Sequence, residues 1–509
     1  MIESFKGRSI GQSFDWKLLS CYLLLVIFGL LNIYASVHGE AGGTFLSFST
    51  RSGKQIVWIV TALVIAALIF FAIPPELWVS GAVIFYIFVV FLLVAVIFLG
   101  VEVKGSRSWF EFGPVRFQPA EISKISTSLM LAAVMSRSNF KISKLKDFLL
   151  AALIIGVPML VIVAEDETGS ALVYVGFIFM LYREGLTGWI LMLIGLTILT
   201  FVLTLTASPY TAILTLAMIT TFFLALNIRK IGKWILYGLG TGAIMSLLPW
   251  LINLLQEEFI PGAALLRDGL DDAWVKATIL ANSSWHWLLK VKPIYFLLAL
   301  TLPAAPAALV KSYRKKDYFL GASALAFLVG IFMVYSTDFL FNDVLQDHQR
   351  SRIEVLLGMR DDPSGVGYNV NQSMIAIGSG GLSGKGYLNG TQTTYGFVPE
   401  QSTDFIFCTV GEEWGFVGCV GVILLYGFMI MRIIIDAEHS REHFTRIYGY
   451  CVASCLFMHL FINIGMTIGI MPVIGIPLPL MSYGGSSLWA FTAMIAIFVV
   501  LDHEERKYF

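Results

Sequence analysis

The sequence predicts an all-α polytopic membrane protein. Three observations carry this. Of its 509 residues, 57% are hydrophobic and only 13% charged, which is far from soluble-protein usage. The apolar residues gather into runs long enough to cross a bilayer. The basic residues of the short connections between those runs all fall on one side when the runs are threaded back and forth.

Fourteen apolar runs lie near residues 17–36, 54–73, 78–99, 120–136, 147–164, 168–183, 187–206, 209–227, 233–253, 292–310, 319–340, 404–431, 447–470 and 485–502. The first follows a polar start, "MIESFKGRSIGQSFDWK", and is long enough to span by itself rather than serve as a cleaved leader. With the N-terminus in the cytoplasm, one side receives Arg137, Lys141, Lys144 and Lys146; Arg229, Lys230 and Lys233; Lys311, Arg314, Lys315 and Lys316; Arg432, Arg441 and Arg446; and the closing "HEERKYF". The other side receives the long connections 37–53, 100–119, 254–291 and 341–403. A single misplaced span would break this alternation downstream.

Formal net charge is zero, so bulk charge points to no nucleic-acid partner. Cys21, Cys408, Cys419, Cys451 and Cys455 lie in or beside apolar runs without a CxxC and read as reduced, buried residues. The seven histidines form neither HxxxH nor HExxH, so no transition-metal site is predicted.

Ionisable residues inside spans are expensive and are functional candidates by default. Glu121 and Lys124 stand at i,i+3 where a helix begins. They are either an internal ion pair or, with Lys104, Arg107 and Arg116 of the preceding loop, the lining of an outward cavity. Glu165, Asp166 and Glu167 read first as a solvated cap before Thr168. In "FVPEQSTDFIFCTVGEEWGFVG", Asp404 is placed at the start of a helix. It is either a simple cap or an acid facing a hydrated cavity, with Glu412 about 12 Å deeper and Glu413 on the far side. The connection before it contributes Arg350, Arg352 and Arg360, then "IAIGSGGLSGKGYLNGTQ" around Lys385, whose glycine-rich amides suit a phosphate oxygen. His459 and Asn463 lie deeper and read as a buried hydrogen-bonded pair.

The stretches "GYNVNQSMIAIGSGGLSGKGYLNGTQ", "FVPEQSTDFIFCTVGEEWGFVG", "NIGMTIGIMPVIGIPLPLMSYGGSS" and "KGSRSWFEFGPVRFQPAEISK" together resemble the SEDS family (shape, elongation, division and sporulation). "DHQRSRI…DDPSGVGYN" and "LNGTQ" are similar to its RodA branch. The resemblance implies a bundle of ten core spans, here with about four inserted. The domains are then 1–186 (core spans), 187–340 (the region holding the insertion), 341–403 (a large extracytoplasmic loop) and 404–509 (core spans). It implies a peptidoglycan glycosyltransferase that polymerises lipid II at the outer face of the bacterial plasma membrane, beside a class B penicillin-binding protein that crosslinks the glycan. The family's essential acid falls on Asp404. Its Glu and Lys fall on Glu121 and Lys124, its Arg on Arg107 and its basic residue before Gln on Lys54. Where the family has "QPDLGT" this chain has "EDETGS".

On that reading Asp404 is the base. Lys124, oriented by Glu121, would hold pyrophosphate oxygens with Arg107, Lys385 and Arg350 or Arg352. No cofactor is required, although a divalent cation, Mg or Mn, would serve the phosphate charge. A lipid-linked precursor flippase and a non-catalytic scaffold for a transpeptidase are the competing readings.

Overall fold

A computed structural model describes residues 14–41, 48, 50–103, 106–113, 115–226, 231–260, 292–360, 365 and 367–508; Lys104, Arg229 and Lys230 lie outside them. Helices α1 (Trp16–Ala41), α2 (Arg51–Ala72) and α3 (Pro75–Leu99) lead into a small antiparallel sheet of β1 (Val101–Val103), β2 (Ser106–Phe112) and β3 (Val115–Phe117). Then come α4 (Pro119–Met135), α5 (Leu145–Ala164), α6 (Thr168–Val173), α7 (Phe177–Arg183), α8 (Gly188–Thr206), α9 (Pro209–Leu226), α10 (Ile231–Phe259), α11 (Pro293–Lys315), α12 (Tyr318–Phe339) and α13 (Asp347–Leu356). The chain ends with α14 (Tyr368–Ser379), α15 (Thr391–Thr394), α16 (Ile406–His439), α17 (His443–Thr467) and α18 (Gly485–Tyr508).

Among the described residues, eleven helices are long and apolar enough to cross a membrane. The shorter apolar stretches Thr168–Arg183 and Pro209–Leu224, with the more polar α4, complete the predicted fourteen. The five cysteines are free and buried. The sheet is the one departure from an all-α reading. Phe110 pairs with Phe117, Glu111 with Arg116 and Phe112 with Val115, and the Ser486 hydroxyl of α18 donates to the Arg116 carbonyl (2.8 Å).

The chain divides into two compact units, residues 1–187 with 361–509, and residues 188–360. In the first unit the most apolar helices are the outermost. Of its apolar window, α3 buries 28% and α17 83%. Lipid already solvates an apolar surface, so small and polar residues are the ones drawn inward. Helix α4 follows the same logic. Pro119 at its first position sets φ for the helix, and Ser123, Lys124, Ser126, Thr127 and Ser128 behind it are all buried.

Helix α16 is broken at Gly415, where φ is 63° and ψ −161°. A continuous helix would pair the Phe416 and Val417 amides with the carbonyls of Glu412 and Glu413. Instead those amides donate to Gly381 and Leu382 (2.9 and 3.1 Å). The vacated carbonyls accept from the Lys385 and Gly386 amides (both 3.0 Å). The glycine-rich stretch is thus threaded into the break, and these four backbone groups opened by the kink are satisfied, as burial demands. The approach is close enough to require glycine: a Cβ on Gly384 (φ 79°) would lie 2.1 Å from the Glu413 carbonyl oxygen.

At the far end of α16, Arg432 binds Asp15 (2.5 Å) and Asp436 (2.9 Å), while Arg506 of α18 binds Asp436 (2.5 Å) and Asp502 (2.8 Å). This network ties the start of α1 to α16 and α18.

The Gly384→Ala substitution should destabilise the protein by about 2 kcal/mol or more, through the clash and the left-handed backbone. Gly378→Ala, in α14 with open space around it, should be neutral or mildly stabilising. Thermal unfolding in detergent checks both, and equal behaviour of the two variants would refute the threading.

Candidate active site

Asp404 sits half-buried in the turn just before α16, so the helix starts two residues later than predicted. Its turn is held from two directions. Asn463 of α17 donates its amide to the Asp404 carbonyl (2.8 Å) and to the Ile476 carbonyl (2.7 Å). From the segment "PLPLMSYGG", the Ser482 hydroxyl donates to the Thr403 carbonyl (2.5 Å) and the Tyr483 amide to the Ser402 carbonyl (2.8 Å). Beneath the carboxylate lies Gly475, where a Cβ would stand 3.4 Å from Asp404 Oδ2.

One helical turn along α17, His459 meets the ammonium of Lys124 (Nε2 to Nζ, 2.8 Å), which also donates to Glu121 Oε1 (2.9 Å) and lies 5.0 Å from the Phe491 ring centre. All three ionisable side chains are buried. An ammonium has only protons to offer, so His459 accepts at Nε2 and carries its proton on Nδ1, facing the Pro477 carbonyl (3.2 Å). His459 and Asn463 are therefore not a pair. They share one face of α17 and address the ion pair and the Asp404 turn separately. Of the two predicted readings of Glu121 and Lys124, the structure shows the internal ion pair.

Glu167 is no solvated cap. It accepts from the hydroxyls of Ser106 (3.0 Å) and Ser108 (3.1 Å) on β2. Arg107 between them points outward to Glu102 (3.6 Å), both exposed. Gly169, two residues on, packs against Ile474 and Ile476, which flank Gly475. Glu165 beside them is buried, and neither carboxyl oxygen has a partner among the described residues. Burial, then the charge of Glu167, push its carboxyl up to about 8.

The glycine-rich stretch differs from the predicted phosphate cradle. Its Lys385 and Gly386 amides already serve α16, and Lys385 Nζ donates to Glu412 Oε1 (2.7 Å) and Thr391 (2.8 Å). Glu412 also accepts from the Gln392 and Thr393 amides at the start of α15 (2.8 Å each) and from the Thr393 hydroxyl (2.7 Å). These donors, the Lys385 ammonium among them, satisfy the buried carboxylate. Glu413, buried as well, packs on Gly390.

Lys54 is exposed on α2. One turn before it stands Arg51, which sequence reasoning missed and whose guanidinium donates to the Ser402 hydroxyl (2.6 Å). The signal was adjacent: "RSGKQ" carries two cations, and only the second was chosen. Arg350 and Arg352 belong to the second unit. There Arg350 closes on the carbonyls of Phe341 (3.1 Å) and Asn342, and Arg352 lies half-buried on α13. Among the described residues no three His, Cys, Asp or Glu side chains converge as a metal site.

The model of the FtsW/RodA/SpoVE family, described as cell cycle proteins, matches residues 15–241 and 317–507. The chain belongs to this family. A peptidoglycan glycosyltransferase RodA of Treponema pallidum is 32% identical over 97% of this chain and 98% of its own. The peptidoglycan glycosyltransferase MrdB of Escherichia coli K12 is 29% identical over 95% and 93%. A chain from a solved peptidoglycan synthase complex aligns with a TM-score of 0.55 at 21% identity, over 97% of this chain and 98% of that one, a likeness of fold. Residues 242–316, with most of α10 and all of α11, fall outside the family match.

Two outcomes are expected at this site. Lys124→Met leaves Glu121 buried without its cation and should cost roughly 3–5 kcal/mol. Glu121→Gln with Lys124→Met should recover most of that in thermal unfolding, and a double variant no better than the single one would contradict the pairing. Glu165 keeps a proton in the folded state that the unfolded chain releases above pH 4.5. Stability therefore falls as pH rises from about 4.5 to about 8. Glu165→Gln should be near neutral at pH 4.5 and stabilise by more than ~1 kcal/mol at pH 8; parallel pH profiles for the two proteins would refute it.

Proposed function

We propose that this chain polymerises lipid II into glycan strands, with Asp404 as the base that takes the proton of the acceptor hydroxyl. Peptidoglycan glycosyltransferase activity follows from its family and from its end-to-end relatedness to enzymes of that name. The observation that carries the role of Asp404 is its mounting. A carboxylate in a half-buried turn, over a glycine that leaves it room, is pinned by Asn463 and by the "PLPLMSYGG" segment, with the exposed cations of α2 beside it.

The acceptor's 4-hydroxyl oxygen attacks the anomeric carbon of the donor sugar. The bond from that carbon to the phosphate oxygen breaks, and its electron pair leaves with undecaprenyl pyrophosphate. The proton passes to Asp404, and inversion yields a β-1,4 linkage. A sugar on pyrophosphate is already activated, so the protein must supply only a base and positive charge for the leaving group. Arg107 and Lys54, both exposed, meet the diphosphate, and Arg51 joins them beside Ser402. Lys124 and Lys385 hold their partners, Glu121 with His459 and Glu412, and so position the walls of the site. Arg350 and Arg352 belong to the second unit and are given no part in this step.

The basic clusters support an orientation with both termini in the cytoplasm and Asp404 at the outer face of the bacterial plasma membrane. A class B penicillin-binding protein is the crosslinking partner, in keeping with the synthase complex whose chain this fold resembles.

Asp404→Asn and Asp404→Ala should each lose 10²–10⁴-fold in glycan synthesis from purified lipid II, with thermal unfolding unchanged. The assay needs neither ATP nor a proton gradient. Near-normal strands from a folded variant would remove Asp404 as the base, and strand synthesis that demands a gradient would favour a transporter.

A further inference from the structure

The second unit contains a cavity of about 310 Å³ walled by α9, α10, α11 and α12. The Asp404 site makes no use of it, and its α11 wall lies outside the family match.

Among the described residues the lining carries no charge, and its hydroxyls are almost all turned back on their own helices. Thr220 donates to the Leu216 carbonyl (2.9 Å), Thr221 to Met218 (2.9 Å), Thr241 to Gly238 (3.1 Å) and Thr301 to Leu297 (2.7 Å). The wall therefore presents methyl groups and small side chains, which suit hydrocarbon and not water. Leu300 at the rim is 55% exposed, so the cavity opens sideways between helices of membrane length. One hydroxyl is different. Ser323 is 2% exposed and its Oγ has no partner among the described residues.

Following the lined face of α11 toward its end gives the second observation. Leu297, Thr301, Ala304 and Ala308 line the cavity, and the same three- and four-residue stepping continues to Lys311 and Lys315. Ala308 and Lys311 are one turn apart, about 5 Å along the axis. The α11–α12 turn adds Arg314 and Lys316, against the single carboxylate of Asp317, which caps α12 through the Leu320 amide (3.2 Å). All four cations are exposed, and none has an ion-pair partner among the described residues. Tyr313 and Tyr318, 89% and 85% exposed, flank them as interfacial aromatics do.

We propose that this cavity takes one acyl chain of an anionic glycerophospholipid whose phosphate rests on Lys311 and Lys315, with Ser323 donating to the ester carbonyl. The volume accepts about ten groups of water or methylene size, at roughly 30 Å³ each, which is most of one acyl chain. The basic turn selects negative head groups as juxtamembrane clusters do. This assignment is independent of the role given to Asp404.

The test is native mass spectrometry of the full chain in detergent micelles carrying equal phosphatidylglycerol and phosphatidylcholine. One phosphatidylglycerol per chain should be retained, about tenfold over phosphatidylcholine. Ala308→Phe, which fills the cavity, should lower its occupancy at least fivefold. Lys311→Gln with Lys315→Gln, a change confined to exposed side chains, should reduce the preference to within about twofold, and Ser323→Ala should weaken retention two- to threefold. Equal retention of both lipids by the wild type overturns the proposal. So does an unchanged preference in the double Lys variant, which decides the matter even where Ala308→Phe does not fold. Displacement of phosphatidylglycerol by undecaprenyl phosphate at equal concentration would assign the cavity to a polyprenyl chain instead.

Discussion

The carboxamide of Asn463 holds two carbonyls at once, those of Asp404 and Ile476, and so joins the turn that precedes α16 to the segment that follows α17. The bond to Ile476 is buried and the bond to Asp404 part-buried, so withdrawing the amide would leave the Ile476 carbonyl out of reach of water. Leaving buried acceptors unmet costs about 1–3 kcal/mol each. The position of the acid is thus set by a helix to which it does not belong. The same helix face, one turn away, ends the Glu121–Lys124 pair at His459. Helix α17 is the post on which both motif-bearing segments are hung, which accounts for its being the most deeply buried of the long apolar helices.

The exchange of backbone partners at Gly415 extends the same constraint. In a membrane a helix cannot simply stop, because its orphan amides and carbonyls have nowhere to go. Here the interruption of α16 and the insertion of residues 380–386 cancel each other bond for bond. The kink leaves Glu412 directly below the start of α15, where two amides and Lys385 neutralise it. A carboxylate buried in this way needs no open water, and it fixes the loop that delivers the chain to Asp404.

Much of this was legible in the sequence because it depends on local pattern. Helices at the fourteen apolar runs follow from run length, eleven of them long and apolar enough to cross a membrane, and the core helix α4 announces itself through Glu121 and Lys124 in a place where charge is costly. Asp404 was legible as an acid at a helix start. What was not legible depends on partners far along the chain. Lys385 and Glu412 are separated by 26 residues, and nothing in either flank says that they meet. Glycine-rich composition supports a phosphate cradle and a close backbone approach equally well; only the positions of Gly384 and Gly415 decide for the second. The residues around Glu167 look like a surface cap until β2 brings Ser106 and Ser108 onto the carboxylate. The short strands themselves were hidden in a segment read as loop, since three-residue pairings carry too little alternation to be seen.

The second unit obeys a different economy of packing. Away from their charged ends its helices α8 to α12 are apolar, and in lipid such stretches gain nothing from hiding hydrocarbon. What holds them together is close contact between small residues, as where Gly330 of α12 meets Leu216 of α9 and Gly242 of α10 meets Met218. Against that background a void is conspicuous. The lining of this 310 Å³ space has no partner atoms of its own chain to pack against. With the threonine hydroxyls already bonded to their own helices, the filling has to be hydrocarbon, and the bilayer provides it beside the opening at Leu300. On the proposal made above, the acyl chain supplies the packing partners that the helices leave out.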